Sequence, residues 1–404
     1  MTQLIDYTYR FRLYPTVKQD AQLTKHFGCI RWVYNHFLGA HIKAYEAVQN
    51  GFENKKLISY HDDAKALTVL KQQAKTKWLN EANSQSLQQS LKHLIVGFKR
   101  FFQHKSKFPK FKSKNKRQSF HVPQHIRIET NKLFIVKFVD GIKINIHRPI
   151  DGVIKNATIS KNKAGEYFAC LGVERHIKPL PKSENQIGID LGIKTLAVCS
   201  DETNFLNITP YKTLEKKRRV FAKGLSRAIK GSKGREKARQ RLAKLDNHIR
   251  NIRQDHLHKI SHHIVSKNQT IVMEDLNVSG MMKNRKLSKS IWDCSFSELV
   301  RQISYKAKWY GREFLQINRW FPSSRTCGNC DRINHGLKLN DRKWTCLNCG
   351  FVHKRDLNAA RNILKQGLAL QRTVGITELA VCPDIRLLVK EAIGWNGSPA
   401  IRAG

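Results

Sequence analysis

Cys327, Cys330, Cys346 and Cys349 form two Cys-x-x-Cys pairs with 15 residues between them. Thiolates are soft ligands, and four at this spacing enclose one Zn²⁺ tetrahedrally, in the manner of a zinc ribbon. A site so filled keeps no open position, so the expected role is structural. Gly350 follows the fourth cysteine, as a tight knuckle prefers, while Asp331 follows the second. Asp enters the left-handed backbone region more readily than most residues. His335 and His353 lie close by, but four thiolates saturate the metal, and both histidines are expected at the surface.

Three carboxylates suggest different chemistry. Asp190 interrupts the apolar run IGIDLGI, Glu274 ends the apolar run of TIVMEDLNV, and Asp356 opens KRDLNAARNI. Each has an ordinary explanation alone: a turn aspartate before Gly192, a solvated strand end, and a helix cap. As a set of strand Asp, strand-end Glu and helix-start Asp, they suggest one acidic site. Such a site would repel itself without cations. Two Mg²⁺ about 3.5–4 Å apart, bridged by a carboxylate, would relieve that and polarise a phosphodiester for attack by water. Hard oxygen ligands suit Mg²⁺ or Mn²⁺. Asp275 would face the opposite side of a continuing strand, so it ranks below Glu274.

The elements that must position these groups are legible in the periodicity. Residues 5–14 alternate as a strand that Pro15 ends. From about 16 to 104 the spacing is helical, with Leu87, Leu91, Leu94 and Phe98 as one stripe, and 126–174 is strand-like again. A helical block between strand segments suggests a small β-barrel or sheet carrying a helical insertion. The second half contains two short strands around Gly192, a helical region from about 211 to 266, the strand ending at Glu274, an amphipathic helix, another strand, the cysteine module and the Asp356 helix. From about 371 no pattern persists, and a loosely ordered tail is expected.

Charge narrows the partners. The 404-residue chain holds 74 Lys+Arg against 31 Asp+Glu, a formal +43. Self-repulsion on that scale destabilises a compact fold unless a polyanion relieves it. No run of 18 apolar residues offers a membrane span, and the N-terminus has no apolar signal core. A cytoplasmic location is expected, nucleoid-associated when DNA is bound. Nine cysteines, four of them in metal spacing, argue against a secreted disulfide framework.

Nucleic-acid contacts are expected along 99–117, where nine basic residues are interleaved with phenylalanines, and along 212–241, which carries a net +11. The candidates in the first segment include Lys110, Lys112 and Arg117. Base reading needs side chains that reach base edges. The helix from Ser84 offers Gln85, Gln88, Gln89 and Lys92, with Ser84, Gln88 and Lys92 on one face. Tyr60 could add a stacking or phosphate contact. Trp32, Tyr34 and Phe37 could be stacking platforms, although their helical spacing favours core packing.

The stretches YRFRLYPT, FGCIRWVYNHFL, KFPKFKS, GIDLGIKTLAV, RQDHLHKIS, VMEDLNV, SYKAKWYG, FPSSRTC and RDLNAARNI closely resemble the TnpB proteins of IS200/IS605-type transposons, relatives of the type V CRISPR nucleases. The resemblance covers about residues 7 to 366. It implies an RNA-guided endonuclease that cuts double-stranded DNA beside a short target-adjacent motif, one protein per guide RNA transcribed from the transposon end. It implies an RNase H-like RuvC domain at 185–322 and 353–370, with Asp190, Glu274 and Asp356 as its Mg²⁺-binding catalytic residues. A zinc ribbon at 323–352 would be inserted in it. A wedge β-barrel would span 1–15 and 105–180, carrying a helical recognition insertion at 16–104, and the tail would be 371–404. An RNA-guided DNA-binding regulator without cleavage would be expected to lack one of the three carboxylates, and all are present. A non-guided transposition accessory protein would carry no specific RNA.

Overall fold

The computed structural model describes residues 2–50, 59–338 and 340–378. They fall into two compact units, Met1–Pro179 with Thr213–Ile252, and Leu180–Lys212 with Arg253–Gly404.

In the first unit β1 (Gln3–Tyr14) buries Ile5, Tyr9, Phe11 and Leu13, the alternation of a half-buried strand. There follow α1 (Val17–Gln49), α2 (Tyr60–Gln72), a 3₁₀ helix (Ala74–Glu81) and α3 (Ser84–Phe102). Asn83 caps α3 by accepting from the Gln85 N–H, and the stripe Leu87, Leu91, Leu94 and Phe98 is buried. The remaining strands are β2 (Gln118–Val122), β3 (Arg127–Glu129), β4 (Lys132–Ile135), β5 (Phe138–Asn145), β6 (Val153–Lys161) and β7 (Tyr167–Ile177). The expected barrel is not closed. The seven strands form one open sheet in the order β2-β6-β7-β1-β5-β4-β3. Its β3 edge is three residues long, offering few groups with which to complete a ring. Its β2 edge is held by helices instead: the Ser86 hydroxyl donates to the His121 carbonyl, and Arg31 donates to the Gln118 side chain.

The second unit contains β8 (Gln186–Leu191), β9 (Thr195–Cys199) and β10 (Asn204–Leu206). Two helices, α4 (Pro210–Arg227) and α5 (Lys233–Lys267), run through both units' residue ranges. After them come β11 (Thr270–Glu274), α6 (Val278–Met281), α7 (Ser288–Cys294), α8 (Phe296–Tyr310), β12 (Glu313–Ile317), β13 (Lys343–Thr345), β14 (Val352–Lys354) and α9 (Arg355–Glu378). The sheet order is β10-β9-β8-β11-β12, with β8, β11 and β12 mutually parallel and β9 antiparallel to β8. One face packs Ile187, Ile189, Ile271 and Met273 with Leu257 and Ile260 of α5 and Phe296 and Leu299 of α8. On the other, Val272 and Ile317 meet Ile363 of α9.

α9 continues to Glu378, past the expected loss of pattern at 371. Residues 379–404 of the expected loose tail lie outside the described residues.

Candidate active site and metal centre

Strand parity puts the first two carboxylates on a common face. Side chains alternate along a strand, so Asp190 shares the side of Gly188, and Glu274 that of Val272. Val272 and Gly188 are register partners on the parallel strands β11 and β8, so Glu274 and Asp190 follow at neighbouring positions. This is the side on which α9 lies. Gly188 permits a close approach: a Cβ there would sit 2.2 Å from the Ala360 carbonyl oxygen. Gly367 is similarly tight against Val272, at 2.3 Å. Asp356 lies one turn before Ala360, in the first turn of α9, where the helix dipole favours a carboxylate.

The electrostatics record the convergence. Burial, then the negative charges of Glu274 and Asp356, push Asp190 up to about 8. Burial also raises Glu274, against a hydrogen bond from the Ser323 hydroxyl. Asp356 is paired with Arg342, Nη1 to Oδ2 3.3 Å, and Asp275 with Arg319. Among the described residues only the four cysteines bring three or more His, Cys, Asp or Glu ligand atoms all within 4.8 Å of one another. The three carboxylates are spread wider, as like charges are when one of them is drawn to an arginine.

The sulfurs of Cys327, Cys330, Cys346 and Cys349 form that closest group, a donor set that fits zinc. Two matching knuckles build it. Asp331 N–H donates to the Cys327 carbonyl and Gly350 N–H to that of Cys346, both at 2.9 Å. Asp331 and Gly350 are both left-handed, with φ of 58° and 70°. The asparagine at 329 and the Phe351 N–H pull Cys349 down to about 6, whereas burial pushes Cys327 up to about 12. His335 is exposed, but His353 is not at the surface as expected. It is 5% exposed, packs on Trp344, and its Nε2 lies 3.0 Å from the Cys327 sulfur. An imidazole can serve a thiolate site by hydrogen bonding to sulfur without being a ligand.

Periodicity gave no warning of what joins the ribbon to α9. Asn358 accepts from Gly328 N–H at 3.0 Å and donates to the Thr326 carbonyl at 2.7 Å. Asn362 donates to the carbonyls of Ser323 and Thr326, and Lys365 pairs with Asp331. The buried Asn358 and Asn362 at i, i+4 were the available signal; their partners, some 30 to 40 residues away in sequence, were not.

Apart from Lys212, the residues expected to contact nucleic acid fall in the first unit. Ser84, Gln88 and Lys92 form an exposed face of α3. The Ser84 hydroxyl accepts from Lys71 Nζ, and Lys92 lies over the Tyr60 ring. Gln85 is half-buried, and its Oε1 has no partner. Lys110, Lys112 and Arg117 line one cleft of about 240 Å³, with the Lys112 ammonium 3.8 Å above the Tyr34 ring. Tyr34 and Phe37 are core residues, whereas Trp32 is only partly buried.

Relatives place the chain. A Streptomyces pristinaespiralis protein provisionally named RNA-guided DNA endonuclease is 37% identical over 91% of both chains. The provisionally named RNA-guided DNA endonuclease InsQ of Escherichia coli K12 is 31% identical over 90% of this chain and 92% of its own. The chain belongs to the TnpB family. Family descriptions match it in three places: "Probable transposase" at 168–285, "Cas12f1-like, TNB domain" at 296–363, and "Helix-turn-helix domain" at 1–50. In this TnpB-family protein the last segment is one strand and one helix. A solved Cas12f1 chain, from a complex with sgRNA and target DNA, shares the fold at TM-score 0.54 and 14% identity. The match covers 89% of this chain and 98% of that one. No helix among the described residues is long and apolar enough to cross a membrane.

Proposed function

We propose that this TnpB-family chain is an RNA-guided endonuclease that hydrolyses phosphodiesters of double-stranded DNA at Asp190, Glu274 and Asp356. The observation that carries the reading is the meeting of two neighbouring strand ends and a helix start on one side of the sheet. The names of the full-length relatives support the guide RNA and the DNA target. The strand order and the α9 packing support an RNase H-like RuvC fold.

A cluster that raises Asp190 to about 8 has surplus negative charge, so its donor set fits divalent cations of the Mg²⁺ class. Bound there, such ions would polarise the phosphodiester and acidify water. The chain's own residues do the positioning. Ser323 orients the Glu274 carboxylate. Arg342 balances Asp356 and would have to yield it to a cation. The ribbon, through Asn358 and Asn362, holds the start of α9 in place.

Purified with its RNA, the Asp190→Ala variant should lose at least about 10²–10³-fold in cutting rate and still bind target DNA nearly as wild type does. Cutting at the wild-type rate would remove Asp190 from the site, and a purified protein carrying no specific RNA would remove the guided mechanism.

A further inference from the structure

The first unit contains a cavity of about 650 Å³ that the nuclease reading leaves unused, within the roughly 300–1,000 Å³ range of small-ligand sites. One wall is a single face of α1, formed by Gly28, Trp32 and Asn35; the other is the 3₁₀ helix, with Trp78 and Glu81. The Trp32 indole stacks on His36 at 4.6 Å and meets Trp78 edge-on at 5.4 Å. Trp78 is 38% exposed. Gly28 is the unexpected wall residue. A mid-helix glycine costs about 0.5–1 kcal/mol against alanine and is usually kept for close packing. Here an added Cβ would touch nothing within 4 Å. The glycine keeps space open.

This cavity opens beside a second of the same size. Lys25 and Arg31 line both. The second is polycationic, adding Lys114, Lys116, Lys161, Lys163 and Arg239 to those two. Its one lining acid, Glu236, is paired with Arg239, while Lys25 pairs with Glu81 and Lys161 with Asp20. An aromatic chamber opening off a cationic cleft suits a chain of phosphates that turns one base out of its stack. Aromatic faces accept any base, and the cations track the backbone.

We propose that the Trp32–Trp78 chamber receives one unstacked nucleobase of a single strand whose phosphates cross Lys25 and Arg31 into the basic cleft. The inference rests on the nucleic-acid function above. It concerns a site in the other unit from the three carboxylates and is tested without cleavage.

The probes are fluorescent oligouridylate, oligothymidylate and an abasic oligomer of equal length and charge, titrated onto the full chain at fixed salt. Gly28→Leu fills the chamber without removing any contact, and Trp78→Ala removes a half-exposed wall. Wild type should prefer base-bearing oligomers to the abasic one by about 5- to 100-fold, the scale of one stacked base. Each variant that melts like wild type should lose most of that preference while binding the abasic oligomer unchanged. Loss for oligouridylate alone identifies RNA as the source of the base, and loss for oligothymidylate alone identifies DNA. Equal wild-type affinity for all three probes, or a full preference in Gly28→Leu, overturns the proposal. Either result leaves the Asp190 test standing, and failure of the Asp190 test would leave this binding comparison intact.

Discussion

At the scale of single residues, the sequence placed acids where a folded chain without cations can hardly tolerate them. Asp190 is pushed up to about 8, and Glu274 is raised as well. Both folded values lie above the unfolded ones. The folded state therefore binds more protons than the unfolded chain, and stability falls as pH rises from about 4 through about 8. Asp190→Asn removes that charge. Without divalent cations it should melt above wild type at pH 8, and the gap should close toward pH 4. Mg²⁺ should raise the wild-type melting temperature and leave the variant nearly unmoved. A variant melting below wild type at both pH values would contradict this account. His353 teaches a different lesson: the expected four-thiolate site left it no place, yet it is buried against the Cys327 sulfur.

At the scale of elements, α9 connects the two centres. Its first turn carries Asp356, its middle lies on Gly188 and Val272, and Asn358 and Asn362 hold the first knuckle and the residues just before it. Gly188→Ala would set a methyl 2.2 Å from the Ala360 oxygen and 2.7 Å from the Leu364 nitrogen. Both are backbone atoms, so the helix itself must move. The variant should lose about 1–3 kcal/mol in urea denaturation, and cutting should fall with it because Asp356 travels with α9. Unchanged stability would show that the helix does not rest on β8 at this point. The open sheet of the first unit is also an element-scale result. Alternation marked its strands, but pairing and edges depend on contacts between segments far apart in sequence.

At the scale of the whole molecule, charge dominates. The formal +43 is unevenly placed, with a net +11 between Lys212 and Arg241. Nearly all of that segment belongs to the first unit, with the strands and helices of 1–179. A protein neutralising ~6–10 phosphates loses about 10³–10⁵ in affinity between 50 and 200 mM salt. Binding of this protein to duplex DNA of arbitrary sequence should fall on that scale, measured by anisotropy across a salt series. A flat response would mean that the basic segments are solvated faces and do not contact phosphate.

The sequence by itself determined the four-cysteine cluster, the strand and helix periods, the large positive charge and the family resemblance, because spacing, alternation and charge are local or additive properties. It offered Asp190, Glu274 and Asp356 as one acidic set while leaving each an ordinary explanation of its own. Only the tertiary structure decided that the first two follow register partners on parallel strands and that α9 begins beside them. It also decided that His353 is buried, that the seven-stranded sheet stays open, and that Trp32 borders a cavity while Tyr34 and Phe37 enter the core. Helical spacing gives all three aromatics the same reason to be buried, but which side of α1 is covered depends on where α3 and the 3₁₀ helix pack, and one-dimensional periodicity does not encode that.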